Sequence, residues 1–137
     1  MNREIKFRGV CAISKEIVYG DLIHGVGSKS NNIYILPNRI NLAGVKHCDP
    51  LDGVKVLLES VGQYTGLKDK DGKEIYEGDI CKKERHRINY EIVFFKNAWA
   101  IKSETDNAIW HQEFCNGANS NKLTVIGNIH QNPELLQ

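Results

Sequence analysis

The segment Gln63-Tyr64-Thr65-Gly66-Leu67-Lys68-Asp69-Lys70-Asp71-Gly72-Lys73-Glu74-Ile75-Tyr76-Glu77-Gly78-Asp79-Ile80 decides how the chain is read. Tyr64-Thr65 and Ile75-Tyr76 are the aromatic and β-branched residues that strands favour, and Asp71-Gly72 between them supplies the φ > 0 positions of a tight turn. The spacing predicts a hairpin over 63–80 that connects an N-terminal β subdomain, 1–62, to a second β subdomain, 81–137. At its tip Lys68, Lys70 and Lys73 alternate with Asp69, Asp71 and Glu74, a pattern of screened surface charges rather than of paired catalytic carboxylates. A calcium loop fails on register, since it would place Leu67 at the first ligand position and Gly78 at the last.

Upstream of the hairpin, Ile5, Phe7 and Gly9 alternate with Lys6, Arg8 and Val10, which suits a strand. A second strand is expected over 17–23, joined to the first through Ser14-Lys15-Glu16, and a third over 33–36, ended by Pro37. Residues 25–32 read as a Gly/Ser/Asn loop and 38–52 as irregular, while 54–61 leans towards a strand because it opens on Val54 and Val56. Downstream, 89–95 is the strongest strand signal, and Lys96-Asn97 turns it into 98–101. Runs at 108–110 and 123–129 follow, with an Asn/Gly loop over 116–121 between them. Counted from Asp79, about five short strands result, the pattern of an SH3-like small barrel or a compact sandwich. Asn132-Pro133 reads as an N-cap with proline at the first position of a short C-terminal helical turn. The fold class is therefore mostly β.

The 137 residues, 41% hydrophobic and 26% charged, describe a folded protein rather than a disordered one. A net charge of +1 leaves no global field to attract nucleic acid or an anionic membrane, so any such binding needs a local patch. The charged start, Arg3-Glu4 and Lys6, lacks a secretory core, and no apolar run is long enough to span a membrane. The expectation is a cytoplasmic protein whose four cysteines, Cys11, Cys48, Cys81 and Cys115, stay reduced.

Cys81, His86, His111 and Cys115 are of zinc-binding types, but they would have to come from strands and their loops rather than from tight knuckles, so no metal and no cofactor is assigned. No cysteine follows a Gly-rich turn into a helix N-terminus, the setting that activates a thiol, and no catalytic residue is assigned. The concentrated basic run, Lys82-Lys83-Glu84-Arg85-His86-Arg87, has Tyr90, Phe94, Phe95 and Trp99 close by in sequence. Lys82, Lys83, Arg85 and Arg87 are therefore the candidates for nucleic-acid contact, against the plainer reading of a solvated loop beside core rings. Because neighbours on a strand alternate faces, at most two of Tyr90, Phe94 and Phe95 are expected to point outward.

Residues 63–80, with Lys6-Phe7-Arg8 near the start and Val125-Ile126-Gly127-Asn128-Ile129 and Asn132-Pro133-Glu134-Leu135 near the end, closely resemble the YopX family of bacteriophage and prophage proteins. Gly9 and Cys11 depart from that pattern, outside the central run. The resemblance implies a phage or prophage accessory protein without a settled activity. It is expected to be no enzyme, and to bind a phage or host protein or to form a homo-oligomer. A nucleic-acid-binding small barrel is the alternative. A partner surface on the hairpin would use Tyr64, Lys68, Lys70 and Tyr76.

Overall fold

The computed structural model describes residues 3–25, 31–37, 48–49, 53–111 and 122–137, and divides the chain into two compact units, Met1–Gln63 and Tyr64–Gln137. Among the described residues the regular structure is strand, apart from two short 3-10 turns.

The first unit contains β1 (Phe7–Val10), β2 (Ile17–His24), β3 (Ile33–Pro37), β4 (Cys48–Asp49) and β5 (Gly53–Val56), antiparallel in the order β4-β5-β3-β2-β1. The start of β6 (Gly62–Lys68) pairs with the free side of β1 through Phe7↔Gln63 and Arg8↔Gly62. Alternation in β2, β3 and β5 sends Val18, Ile33, Ile35, Val54 and Val56 into one core with Cys11, and Phe7 of β1 packs against it. The strand expected over 54–61 stops at Val56, and a 3-10 turn, Leu58–Ser60, follows it. A buried hydroxyl explains the break. Ser60 Oγ donates to the Leu57 carbonyl at 2.6 Å and accepts the Val10 N–H at 2.7 Å, so the turn is pinned to β1. Of the stretch expected to be irregular, Cys48–Asp49 is a short strand, and residues 38–47 and 50–52 lie outside the described residues.

In the second unit the rest of β6 pairs with β7 (Glu74–Tyr76) through Tyr64↔Tyr76 and Lys68↔Glu74. The loop between Lys68 and Glu74 is not the two-residue turn that Asp71-Gly72 suggests, since of that pair only Gly72 has a positive φ, +82°. Asp69 builds the loop instead. Its Oδ1 accepts the N–H groups of Asp71 and Lys73, both at 2.9 Å, and its Oδ2 accepts the N–H of Val125 at 3.0 Å. Three backbone donors thus satisfy a carboxylate that is 5% exposed.

The chain leaves β7 through a second tight turn, in which the Tyr76 N–H donates to Asp79 Oδ2 at 2.8 Å. Gly78, at φ +81°, donates to the Ile92 carbonyl and accepts from the Ile129 N–H. That conformation is one L side chains rarely adopt, which accounts for glycine here. Then follow β8 (Asp79–Lys83), β9 (Asn89–Phe95), β10 (Ala98–Ser103), β11 (Ile109–Trp110) and β12 (Leu123–Asn128). They form an antiparallel sheet ordered β11-β10-β9-β8-β12, open between β11 and β12 among the described residues. Its inner face places Cys81, Tyr90, Ile92, Ile101, Leu123 and Val125 against Ile75, with Leu67 of the hairpin packed on them. Burying each of the isoleucines contributes about 1.5–3 kcal/mol.

The C-terminal 3-10 turn, Pro133–Leu136, has proline in its first positions as expected, but Asn132 makes no side-chain cap. Its Oδ1 instead accepts the Asn128 N–H at 3.3 Å, and Asn128 Oδ1 accepts the N–H groups of His130 and Gln131.

Candidate binding surfaces

The basic run occupies the end of β8 and the turn into β9. Cys81 faces the core, so alternation puts Lys82 on the outer face and Lys83 on the inner one. The turn closes with the His86 N–H on the Lys83 carbonyl at 3.0 Å, and Arg85 at its tip has φ +68°. Lys82, Arg85 and Arg87 are exposed and Lys83 is half-buried. His86 Nδ1 is hydrogen-bonded to Tyr90 Oη at 2.6 Å, and the Tyr90 ring meets Trp110 edge-on at 6.0 Å between centroids. Tyr90 itself is buried.

Phe94 and Phe95 lie at the other end of β9, six residues from Asn89, or roughly 20 Å along an extended strand. They point to opposite faces as alternation requires, yet both are exposed, at 54% and 40%. The reason is that the β9–β10 hairpin runs on past the core residues Ile92 and Ile101. Phe94 packs edge-on against Trp99 at 4.9 Å. Phe95 stacks on His111 at 5.9 Å, with the Lys96 ammonium 5.5 Å from its ring centre. The Lys96-Asn97 turn holds this tip with φ +48° and +64°.

The residues assigned to a partner surface on the hairpin divide. Lys68 and Lys70 are exposed, whereas Tyr64 and Tyr76 are 4% and 2% exposed and pack on each other at 5.4 Å. The Tyr76 hydroxyl donates to Glu74 Oε2 at 3.0 Å. Two buried rings offer a partner no contact area, and the exposed rings of this unit among the described residues are Phe94, Phe95 and Trp110 instead. Alternation within a strand could not reveal that, because it says nothing about where the core ends.

Of the zinc-type residues, Cys81 is fully buried in the core, His86 is engaged by Tyr90, and Cys115 lies outside the described residues. His111 Nδ1 is buried and has no hydrogen-bond partner among the described residues. No group of three or more His, Cys, Asp or Glu that could hold a metal comes together among the described residues.

The Cys11 thiol is electrostatically perturbed. Burial pushes the Cys11 thiol up, but hydrogen bonds from the Ser14 side chain and from the Ser14 and Ile13 backbones outweigh it, and the net shift is below the usual thiol value. The Ser14 N–H lies 3.4 Å from Sγ. With 2% exposure this sulfur acts as an acceptor inside the β1–β2 turn, a role that a search for Gly-rich turns and helix N-termini does not detect.

Among the described residues no helix is long and apolar enough to cross a membrane. No curated protein sequence matches the chain. Among solved structures, the crystal structure of protein EF1440 from Enterococcus faecalis is similar at 27% sequence identity and a TM-score of 0.53, covering 98% of this chain and 99% of that one. A sequence profile described as YopX protein matches residues 6–137, nearly the whole chain. With a match over nearly its whole length, the chain belongs to the YopX family.

Proposed function

We propose that this is a phage- or prophage-encoded, non-enzymatic accessory protein that acts by binding a phage or host protein or a second copy of itself. The observation that carries the reading is the pair of exposed rings, Phe94 and Phe95, at the end of the β9–β10 hairpin. Large rings left in water at a rigid strand end are the residue type that protein interfaces use as anchors, and each gains contact area with little loss of side-chain freedom. Lys68 and Lys70 on the β6–β7 hairpin belong to the polar part of the same proposal.

The second unit is read as an SH3-like small barrel. What supports this is the strand order, a meander β8-β9-β10-β11 with the last strand, β12, beside the first. A cytoplasmic site of action goes with the reading, and the free thiol of Cys11 suits a reducing compartment.

The test is affinity capture from cells carrying the parent phage, beside sedimentation velocity of the purified protein, for the wild type and for Phe94→Ser/Phe95→Ser. The wild type is expected to retain a defined partner or to self-associate, and the variant to do so at least tenfold less with its melting temperature unchanged. A monodisperse wild-type monomer that retains nothing would overturn the reading.

A further inference from the structure

Separate from the aromatic tip, we infer that the second unit carries a binding site for single-stranded nucleic acid on a basic rim assembled from three segments remote in sequence. The Lys70 N–H donates to the Leu123 carbonyl at 3.1 Å, Leu123 pairs with Lys83, and the Glu84 N–H reaches the Lys122 carbonyl at 3.4 Å. The hairpin loop, the β8–β9 turn and the start of β12 therefore meet around Leu123. Lys70, Lys82, Arg85, Arg87 and Lys122 are exposed there, and Lys83 is half-buried among them.

None of Lys70, Lys82, Arg85, Arg87 and Lys122 is ion-paired among the described residues. Asp69, the nearest carboxylate in the hairpin loop, is buried and occupied by three backbone N–H groups, which leaves Asp71 and Glu84 as the exposed acids of these segments. A chain with a net charge of only +1 thus gathers several unpaired cations at one rim. Such a concentration attracts a polyanion even when the whole molecule is close to neutral.

The rings beside the rim decide between kinds of polyanion. From the β8–β9 turn, His86, Tyr90 and Trp110 form a run of ring contacts, with centroids 5.9 and 6.0 Å apart, ending on the indole of Trp110 at 38% exposure. Cations that follow a phosphodiester backbone next to an exposed ring that stacks a base are the elements of single-strand recognition, since every base offers a π-face to the ring and the carboxylates of an acidic segment do not. The basic run alone does not define this site, because Lys70 and Lys122 join it only through the fold.

The experiment is a salt-resolved fluorescence titration of the full chain with a labelled oligo(dT) of about 12 nucleotides. The wild type is expected to bind at low salt with an affinity that falls linearly in log–log form. In Lys70→Gln/Lys122→Gln and in Arg85→Gln/Arg87→Gln, each lost phosphate contact lowers the slope by roughly 0.7. Trp110→Ala weakens binding roughly tenfold without changing the slope, and Lys96→Gln, at the aromatic tip, leaves both unchanged. Circular dichroism of each variant separates loss of binding from loss of fold. Absence of binding at low salt, a slope unaffected by Lys70→Gln/Lys122→Gln, or displacement of oligo(dT) by polyglutamate as efficiently as by unlabelled oligo(dT) would overturn the inference. The last result would assign the rim to an acidic protein.

Discussion

Asp69 reads as a solvated surface charge in the sequence and is a buried structural residue in the fold. In sequence it is one of several carboxylates among lysines, whereas in the fold its two oxygens join the hairpin loop to β12 through three backbone donors. Replacing it by asparagine leaves an amide facing the Val125 N–H or the loop donors, and an unsatisfied buried donor costs about 1–3 kcal/mol. Urea unfolding should show that loss for Asp69→Asn, while the exposed Asp71→Asn stays within about 0.5 kcal/mol of wild type.

A second carboxylate makes a prediction about pH. The Ala108 N–H, 3.0 Å from Oδ1, and then the Ser103 hydroxyl hold the exposed Asp106 below the usual carboxylate range. A group whose folded pKa is depressed stabilises the fold above its unfolded pKa, near 3.9, and that contribution disappears as pH falls through the folded value. The difference in melting temperature between wild type and Asp106→Ala should be present at neutral pH and close below about pH 4. A gap that persists in acid would assign the effect to something other than the charge.

At the scale of elements, most strands were legible because they are runs of β-branched and aromatic residues, as in Ile17–His24 and Asn89–Phe95. The misreadings arise where a single polar side chain overrides local preference. Ser60 converts the end of an apolar run into a 3-10 turn, and Asp69 replaces a two-residue turn by a longer loop. Sequence also cannot show how closely two backbones approach. A Cβ built on Gly20 of β2 would lie 2.0 Å from the Leu36 carbonyl oxygen of β3, an atom that cannot move without shifting the strand. Gly20→Ala should therefore destabilise the first unit by about 3 kcal/mol or more, measured by thermal unfolding. An unchanged melting temperature would mean that the two strands can separate at little cost.

At the scale of the molecule, family membership and the mostly β character were legible, since both rest on local runs of residues. The surfaces were less so. The basic run was visible as a string of cations, but its convergence with Lys70 and Lys122 depends on pairings between distant segments. The aromatic tip was hidden because Phe94 and Phe95 look like core until the end of the core is located. Hydroxyl-radical footprinting of the wild-type protein, alone and in its captured or self-associated complex, tests the central claim most directly. Oxidation of Phe94 and Phe95 should drop several-fold in the complex, with buried Tyr64 and Tyr76 unreactive in both states. Phe94 and Phe95 that oxidise as fast in the complex as in the free chain would contradict it.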